Sequence, residues 1–481
     1  MSGFAVSDLQ ARVDEILNCR AAVGLVVGVV RPGSPPLFCA RGVADIPSQT
    51  PVTQDTVFRI GSITKTVTAI AVMQLWEQGL VALDTPANDY LRAFRLVAKR
   101  PRWRPATVRH LLTHTAGIPE LVRPLQAVRT GWFSETYPLG QPVPTLAEFY
   151  RERLRLVAEP GTTFTYTNHT FAALGQIVED ITGQPLDRYF REQIFEPLGM
   201  DDTDLLRSAR LPTRLATGYK LRAGGPTPVI ERQHVTAAAG LICSTPRDMA
   251  RYATALLDGG AGERGTILKP DTLTMMFAPH YQPEPRVPGF GLGLYRADLG
   301  GHPAVEHPGI IEGFNAQLSV APDDGVGAVA FTNGARNAVV WLQAETGKLL
   351  GELIGAPPDR IRADVPQHPE IWGDICGWYT PRAQRSDMQA RGMAGAGVHI
   401  VVRRGQLILR SLSPLPGLFR GLVLHPDDEH DPYVFRVDLS AYDLGTARVV
   451  FSRAAGTTRI HTDVVPLVLE KRRPTVRRRK R

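Results

Sequence analysis

Ser62 and Lys65 form the only S-x-x-K tetrapeptide of the chain. On a helix, residues three apart lie on the same face, so the lysine amine can reach the serine hydroxyl. A serine hydroxyl is a poor nucleophile at neutral pH and needs a base within hydrogen-bond reach, a task that a desolvated lysine can perform. A chance match is the alternative, with about 0.2 occurrences expected from the composition. The spacing predicts an acylated Ser62 with Lys65 as its base.

Tyr166-Thr167-Asn168 follows the turn-forming stretch Pro160-Gly161-Thr162-Thr163 and is therefore expected on a loop. A phenol held near a lysine can pass a proton between nucleophile and leaving group, and an amide can orient a substrate carbonyl. The alternative is an ordinary packed tyrosine followed by an Asx turn.

His307-Pro308-Gly309 is the third candidate and is expected just before a strand that begins near Ala316. Gly309 would let an acyl group approach the backbone closely. An imidazole at that point could bind a substrate carboxylate or transfer a proton near neutral pH. A solvated loop histidine is the alternative.

Helical and strand patterns on both sides of Ser62 indicate what must position it. Helix-forming residues predict a helix from Thr64 to Gln78, with Ser62 at its first turn. A helix over Ser7–Cys19 is predicted to lead into strands at Val23–Val30 and Leu37–Val43.

The rest of this part of the chain continues the same plan. Residues 84–251 are predicted to be mainly helices and loops, and strands return at Ala316–Val320 and Gly327–Phe331 before a helix over Asn337–Ile354. This order predicts an antiparallel sheet built from both ends of the segment, with a helical domain inserted.

A proline-rich linker at residues 356–370 separates this domain, residues 1–355, from a run of short strand patterns. Those patterns predict a small antiparallel β-barrel over residues 371–470. Residues 471–481 form a basic tail that is expected to be disordered.

The motifs at positions 62, 166 and 307 occur in the order typical of class C β-lactamase-like serine hydrolases, which are related to penicillin-binding proteins. The flanking stretches Thr107–Ile118 and Pro160–Asn168 also resemble that family. The resemblance spans about residues 8–355. It implies the α/β (α+β) serine β-lactamase/DD-peptidase-like fold. Ile375–Tyr379 resembles, more weakly, the lipocalin-like barrel that follows this domain in several members.

The resemblance implies a two-step acyl transfer in which water releases the acyl group. The oxyanion would lie between the backbone N–H groups of Ser62 and Ile310. The implied catalytic residues are Ser62, Lys65 and Tyr166, and the implied substrate-binding residues are Asn168, His307, Gly309 and Ile310.

The expected substrates are small esters or amides, including D-amino-acid peptides. A penicillin-recognising DD-peptidase or a weak β-lactamase is an alternative, although the Lys-Thr-Gly of antibiotic-degrading relatives is replaced here by His307-Pro308-Gly309. Glu312 could meet a substrate amine, and a solvated loop carboxylate is the simpler interpretation. A catalytically idle scaffold that binds peptides or polymerises is a third hypothesis.

No cofactor and no metal are predicted. His110 and His114 have the i, i+4 spacing of metal ligands, yet no H-E-x-x-H pattern or third ligand accompanies them. No G-x-S-x-G elbow is present, which argues against the α/β-hydrolase route to the same chemistry.

The formal net charge of +8 equals the eight Lys and Arg residues of the tail, so the rest of the chain is neutral. Nucleic-acid binding is therefore not expected, although the tail could touch anionic surfaces.

Four scattered cysteines are interpreted as buried thiols in a reducing compartment. Without a recognisable signal peptide, a cytoplasmic location is expected, and a homo-oligomer is possible.

Overall fold

The computed structural model describes residues 4–123, 135–206, 211, 214–382, 394–411, 416–454 and 456–472. The chain forms two compact units. The first unit comprises Met1–Thr162, Thr167–His280 and Phe290–Pro358, and the second comprises Thr163–Tyr166, Tyr281–Gly289 and Asp359–Arg481.

The described helices are short except for five that exceed ten residues. In chain order they are α1 Val6–Cys19, α2 Thr64–Glu77, α3 Val108–Leu112, α4 Leu146–Tyr150, α5 Asn168–Thr182, α6 Leu186–Phe190, α7 Glu196–Leu198, α8 Pro246–Leu257, α9 Pro270–Phe277, α10 Ala338–Ile354, α11 Trp372–Ile375 and α12 Pro416–Arg420.

The described strands of the first unit are β1 Gly24–Val30, β2 Leu37–Asp45, β3 Thr50–Pro51, β4 Phe58–Arg59, β5 Arg95–Ala98, β6 Thr136–Pro138, β7 Arg153–Leu156, β8 Tyr219–Arg222, β9 Gly225–Pro228, β10 Arg232–His234, β11 Cys243–Ser244, β12 Tyr295–Leu299, β13 His302–Ile311, β14 Phe314–Ala321 and β15 Val326–Thr332. Those of the second unit are β16 Gly377–Pro381, β17 Val398–Arg403, β18 Gln406–Ser411, β19 Leu422–Val423, β20 His425–Pro426, β21 Val434–Asp438, β22 Thr446–Ala454, β23 Thr457–Thr462 and β24 Val468–Lys471.

A seven-stranded antiparallel sheet organises the first unit, with the strand order β12-β13-β14-β15-β1-β2-β3. Strands from the two ends of the segment meet where β1 pairs with β15 in the register Val27↔Ala330. The sheet is therefore assembled from both ends of the unit, as the sequence predicts, and the largely helical region lies between them in the chain. That region also contains several two-stranded pairs.

Both faces of the sheet are buried at β1. Val26 and Val30 of β1 pack in the core that includes α2, α5 and α8, whereas Val27 and Val29 pack against α1 and α10. Because successive side chains of a strand point to opposite faces, burial on both sides explains why β1 contains only apolar residues and glycine.

Helix α2 is the central helix of the first unit. Its residues from Thr64 to Leu75 are buried, so it has no solvent-facing stripe. A helix that is apolar nearly all round lies inside a core. Residues at its N-terminal end are therefore held by packing on every side.

The nine strands β16–β24 of the second unit form one antiparallel sheet in the order β19-β18-β17-β16-β24-β23-β22-β21-β20, which curls into a nearly closed barrel. Its interior contains Tyr379, Ile400, Phe435 and Phe451. The antiparallel barrel predicted for this part of the chain is confirmed. The likeness to lipocalins and the limits of the linker and tail stay predictions, and residues 473–481 lie outside the described part.

Two expectations are corrected. Cys19 is exposed, because it is the last residue of α1 and lies off the apolar stripe formed by Leu9, Val13 and Ile16. His307 lies inside strand β13 rather than on a loop before a strand. No helix among the described residues combines the length and apolar character needed to cross a lipid bilayer.

Candidate active site

Ser62 lies in a single 3-10 turn, Gly61–Ile63, that runs directly into α2. Lys65, one turn further on, is fully buried. Its Nζ donates to Ser62 Oγ at 2.9 Å, to Asn168 Oδ1 at 2.8 Å and to the carbonyl oxygen of Ala239 at 2.8 Å. The structure thus brings together the first motif and the asparagine of the second.

Burial lowers the pKa of the Lys65 ammonium to about 7, and the negative charge of Glu135 opposes this change. A lysine with an ordinary pKa near 10.4 would hold its proton almost completely at neutral pH. Near pH 7, Lys65 is therefore divided between the charged form and the neutral form, and a neutral amine is able to accept a proton.

Asn168 is the first residue of α5. The Thr167 side chain accepts from the backbone N–H of His169, which caps the helix and fixes where it begins. The Asn168 amide has different partners at its two ends: Oδ1 accepts from Lys65, and Nδ2 donates to Glu135 Oε1 at 3.2 Å. This pairing sets the orientation of the amide.

Glu135 was not identified from the sequence. Its side chain is buried and lies close to two groups of the site, Asn168 Nδ2 and, at 3.9 Å, His169 Nε2. The other ring nitrogen of His169 lies 2.8 Å from the Tyr150 hydroxyl. An isolated glutamate in a loop carries no motif, so only its spatial neighbours reveal this carboxylate.

His114 positions the first turn of α5, a role that its spacing from His110 did not suggest. Its Nδ1 lies 2.9 Å from Thr170 Oγ1, and its ring packs against Phe171 and Phe290. Burial, together with the nearby Lys65 and His307, lowers its pKa well below the ordinary value. A neutral His114 therefore anchors the first turn of α5.

Strand β13 brings its backbone against the turn that carries Ser62. A Cβ added to Gly61, whose φ is +53°, would lie 2.6 Å from Ile310 N, and one added to Gly309 would lie 2.0 Å from the carbonyl oxygen of Ile60. Only glycine fits both places. This close approach brings the backbone of Ile310 next to the turn that holds Ser62, the pairing that an oxyanion hole requires.

His307 is fully buried in β13, and its Nδ1 lies 2.7 Å from the carbonyl oxygen of Pro308. Burial and the nearby positive charge of Lys65 lower its pKa to about 3. The imidazole is therefore neutral throughout the neutral pH range. It cannot offer a positive charge to a substrate carboxylate.

Tyr166 is half-buried and belongs to the short stretch Thr163–Tyr166 of the second unit. In the chain it directly precedes Thr167, the cap of α5. Within the second unit, the neighbouring Phe164 stacks on Tyr281, with ring centroids 5.8 Å apart. The role of Tyr166 in proton transfer remains a prediction.

A cavity of about 550 Å³ opens in the first unit beside Ser62. Asn168, Ile310 and Glu312 also line it. Glu312 Oε2 lies 3.6 Å from Arg59 Nη1, and Oε1 lies 3.7 Å from His234 Nε2. Burial raises the Glu312 pKa, but His234 and Arg59 more than offset this and leave it lowered. Glu312 is thus a charged, partnered wall residue.

The described residues of the site supply the parts of acyl transfer. They provide a hydroxyl nucleophile, an amine of lowered pKa, an oriented amide and a backbone segment beside the nucleophile, all next to a substrate-sized cavity. These parts need no metal ion or cofactor for covalent acyl transfer.

A family model described as Beta-lactamase matches residues 9–350 of the chain. The chain is 32% identical to penicillin-binding protein 4 of Amycolatopsis lactamdurans over 351 residues, which cover 67% of this chain and 86% of that protein. It is 29% identical to esterase EstB of Burkholderia gladioli over 390 residues, which cover 78% and 87% of the two chains.

Among solved structures, the octameric penicillin-binding protein homologue from Pyrococcus abyssi superposes with a TM-score of 0.62 and 23% identity. The match covers 97% of this chain and 100% of that one. It shows that the two proteins share a fold.

Proposed function

Because the chain belongs to the Beta-lactamase family and is a serine hydrolase of that family, we propose that it cleaves ester or amide bonds of small substrates through an acyl-enzyme on Ser62. The observation that carries the proposal is the 2.9 Å hydrogen bond between Lys65 Nζ and Ser62 Oγ, made by a lysine whose pKa is lowered to about 7. A neutral amine at that distance can take the serine proton.

In the proposed first step, Ser62 Oγ attacks the carbonyl carbon and its proton passes to Lys65. The backbone N–H groups of Ser62 and Ile310 stabilise the resulting oxyanion. Tyr166 passes a proton to the leaving group, whose bond to the acyl carbon then breaks. Protonated Lys65 then returns its proton to Tyr166, so that both groups regain their starting forms. In the second step, water attacks the acyl carbon and gives a proton to Lys65, which passes it to Ser62 Oγ as the acyl–oxygen bond breaks and the acid leaves.

Asn168, Gly309 and His307 complete the proposed site. Asn168 Oδ1 accepts a hydrogen bond from Lys65, and Asn168 also lines the cavity. Gly309 allows β13 to approach the nucleophile turn, the turn Gly61–Ile63 that carries Ser62. His307 contributes a neutral ring beside Lys65.

Small esters are the first substrate class to test, followed by D-amino-acid amides and peptides. The similarity to esterase EstB supports esters. The family resemblance of the three motifs supports D-peptides. A cavity of about 550 Å³ suits a substrate of this size.

The deciding experiment is intact-protein mass spectrometry after incubation with a fluorophosphonate probe. We expect one adduct on the parent and none on Ser62→Ala. Ser34→Ala, which removes an exposed hydroxyl far from the motifs in sequence, is the matched control and should label like the parent. Equal labelling of Ser62→Ala and the parent would refute the proposal.

A penicillin-recognising DD-peptidase or weak β-lactamase is the second candidate, favoured by the similarity to penicillin-binding protein 4. It predicts a benzylpenicilloyl adduct on Ser62, long-lived for a peptidase and short-lived for a β-lactamase. If the protein that accepts the fluorophosphonate forms no penicilloyl adduct and turns over no benzylpenicillin, this candidate fails.

A non-catalytic scaffold is the remaining candidate. The Pyrococcus abyssi homologue is described as octameric, and self-association of this chain is a proposal to be tested by light scattering. Assembly without any fluorophosphonate adduct would favour the scaffold. Labelling of Ser62 would exclude a purely structural role for the protein.

A further inference from the structure

Three basic residues, Lys220, Arg222 and Arg336, line the same cavity as Ser62. All three are exposed. Within the described part of the chain, none of their side chains has a hydrogen bond or ion pair, whereas some other exposed arginines of the first unit, such as Arg214 with Asp202, do. Their positive charges therefore act on the cavity without a neutralising partner among the described residues.

The two segments that carry these three residues are joined by a backbone hydrogen bond. Lys220 and Arg222 lie two apart on β8, so their side chains leave the same face of the strand. The neighbouring Tyr219 donates its backbone N–H to the carbonyl oxygen of Asn333 at 2.7 Å, which ties β8 to the segment that leads to Arg336. The Tyr219 hydroxyl also lies 3.1 Å from Asp45. The three cations are thus presented by a hydrogen-bonded framework.

Glu312 is the only acidic residue among those that line the cavity in the described part. Its charge already faces Arg59 at 3.6 Å and His234 at 3.7 Å. The remaining formal charge of the lining is therefore positive. Such a cavity raises the local concentration of anions and binds carboxylates through charge-assisted hydrogen bonds, to which arginine contributes in a bidentate manner.

We propose that Lys220, Arg222 and Arg336 form a subsite for a substrate carboxylate, so that the preferred substrates are small esters or amides with a free carboxylate near the scissile bond. This inference rests on the proposed hydrolase function and specifies its substrate class. It assigns carboxylate recognition to side chains outside the third motif, where the neutral His307 cannot supply charge.

The test compares p-nitrophenyl hemiglutarate with p-nitrophenyl valerate, two esters of similar length that differ in the terminal carboxylate. A second pair, 4-acetoxybenzoate and phenyl acetate, carries the charge on the leaving group. At low ionic strength we expect the parent to prefer one anionic ester over its neutral partner by about tenfold in kcat/KM, because each exposed ion pair contributes a few-fold. The pair of esters in which this preference appears shows whether the three cations contact the acyl side or the leaving-group side of the substrate.

The variant Lys220→Gln/Arg222→Gln/Arg336→Gln should bring this ratio close to one. Lys99→Gln/Arg153→Gln/Arg155→Gln removes the same charges from exposed positions that do not line the cavity, and should keep the ratio. Added salt near 0.5 M should reduce the parent's preference, since screening weakens exposed charge pairs. Thermal melts verify that both variants are folded.

Three outcomes separate the inference from the function on which it rests. Ester hydrolysis that survives Ser62→Ala refutes the hydrolase mechanism. Hydrolysis that depends on Ser62 but shows no anionic preference in either pair refutes the carboxylate subsite alone. A preference that the cavity variant and the control variant lose equally also refutes the subsite, because it then reflects overall charge.

Discussion

Lys65 shows how one buried residue sets the chemistry of the site. Three hydrogen bonds hold its amine, yet burial still lowers its pKa to about 7. The negative charge of Glu135 favours the charged form and burial disfavours it, and the balance leaves an amine whose pKa is close to neutral pH.

The first prediction concerns pH. If neutral Lys65 is the base, kcat/KM for a neutral ester rises with pH through an apparent pKa of about 7, since activity is lost as the amine becomes protonated. Lys65→Ala should lower kcat by about 10²- to 10⁴-fold. The check is a pH–rate profile from pH 5 to 9, in which a flat parent profile would contradict this assignment.

The second prediction concerns Glu135. Its charge raises the pKa of Lys65 and its Oε1 accepts from Asn168. Glu135→Gln removes the charge but keeps an acceptor, so the acid limb of kcat/KM should move to lower pH by roughly 0.5 to 1 unit. Glu148→Gln, which removes an exposed carboxylate that caps α4, is the control. If the acid limb of the kcat/KM profile does not move in Glu135→Gln, Glu135 has only a structural role.

At the residue scale, the sequence predicts groups that belong to motifs and misses those that do not. Ser62 and Lys65 lie three residues apart, in the 3-10 turn and the helix that follows it, so their contact follows from local geometry. Glu135 meets Asn168 only because two distant segments converge. The neutral state of His307 follows from its burial, which one motif cannot reveal.

Among the elements, the turn Gly61–Ile63 that carries Ser62 is held by the contact between β13 and the residues just before α2. Gly309 and Gly61 let two backbones approach to van der Waals distance. The sequence predicts α2, β1 and β14 because each has a strong apolar pattern. It places His307 before a strand instead of inside β13, because prolines at positions 303 and 308 and a glycine at 309 obscure the strand pattern.

The third prediction tests this contact. Gly309→Ala would place a Cβ 2.0 Å from the carbonyl oxygen of Ile60, so β13 must move away from the nucleophile turn. We expect kcat for ester hydrolysis to fall by about 10²-fold or more, as after loss of an oxyanion-hole donor. Gly347→Ala on α10 is the control, because its Cβ would meet nothing within 4 Å and alanine favours a helix by roughly 0.5–1 kcal/mol. Equal kinetics of the two variants would refute the backbone contact as a catalytic feature.

At the scale of the whole molecule, the sequence predicts an early sheet-and-helix part followed by a late barrel. It does not predict that two short stretches from the middle of the chain, Thr163–Tyr166 and Tyr281–Gly289, join the second unit. Loops of four and nine residues carry too little pattern to indicate which distant surface they contact. Tyr166, the residue predicted to transfer a proton, is one of the residues in these stretches.

Packing inside the second unit is specific around Tyr281–Gly289. Arg286 Nη1 donates to Asp431 Oδ2 at 2.6 Å and Nη2 donates to the carbonyl oxygen of Phe451 at 3.1 Å. Val287, only 2% exposed, packs with Val434 and Val450. These contacts stabilise the stretch whose Tyr281 stacks on Phe164, two residues before Tyr166.

The last prediction follows from this packing and uses the full chain. Val287→Asp buries a charge without a partner, which costs several kcal/mol and should lower Tm by about 5 °C or more. Because the loosened stretch carries the partner of Phe164, we also expect ester hydrolysis to slow well below the melting transition. Val339→Asp is the matched control at a position 44% exposed on α10, and it should leave both quantities unchanged. A Val287→Asp protein with lower Tm but parental kcat would mean that catalysis does not depend on the packing of this stretch, and that Tyr166 keeps its place without it.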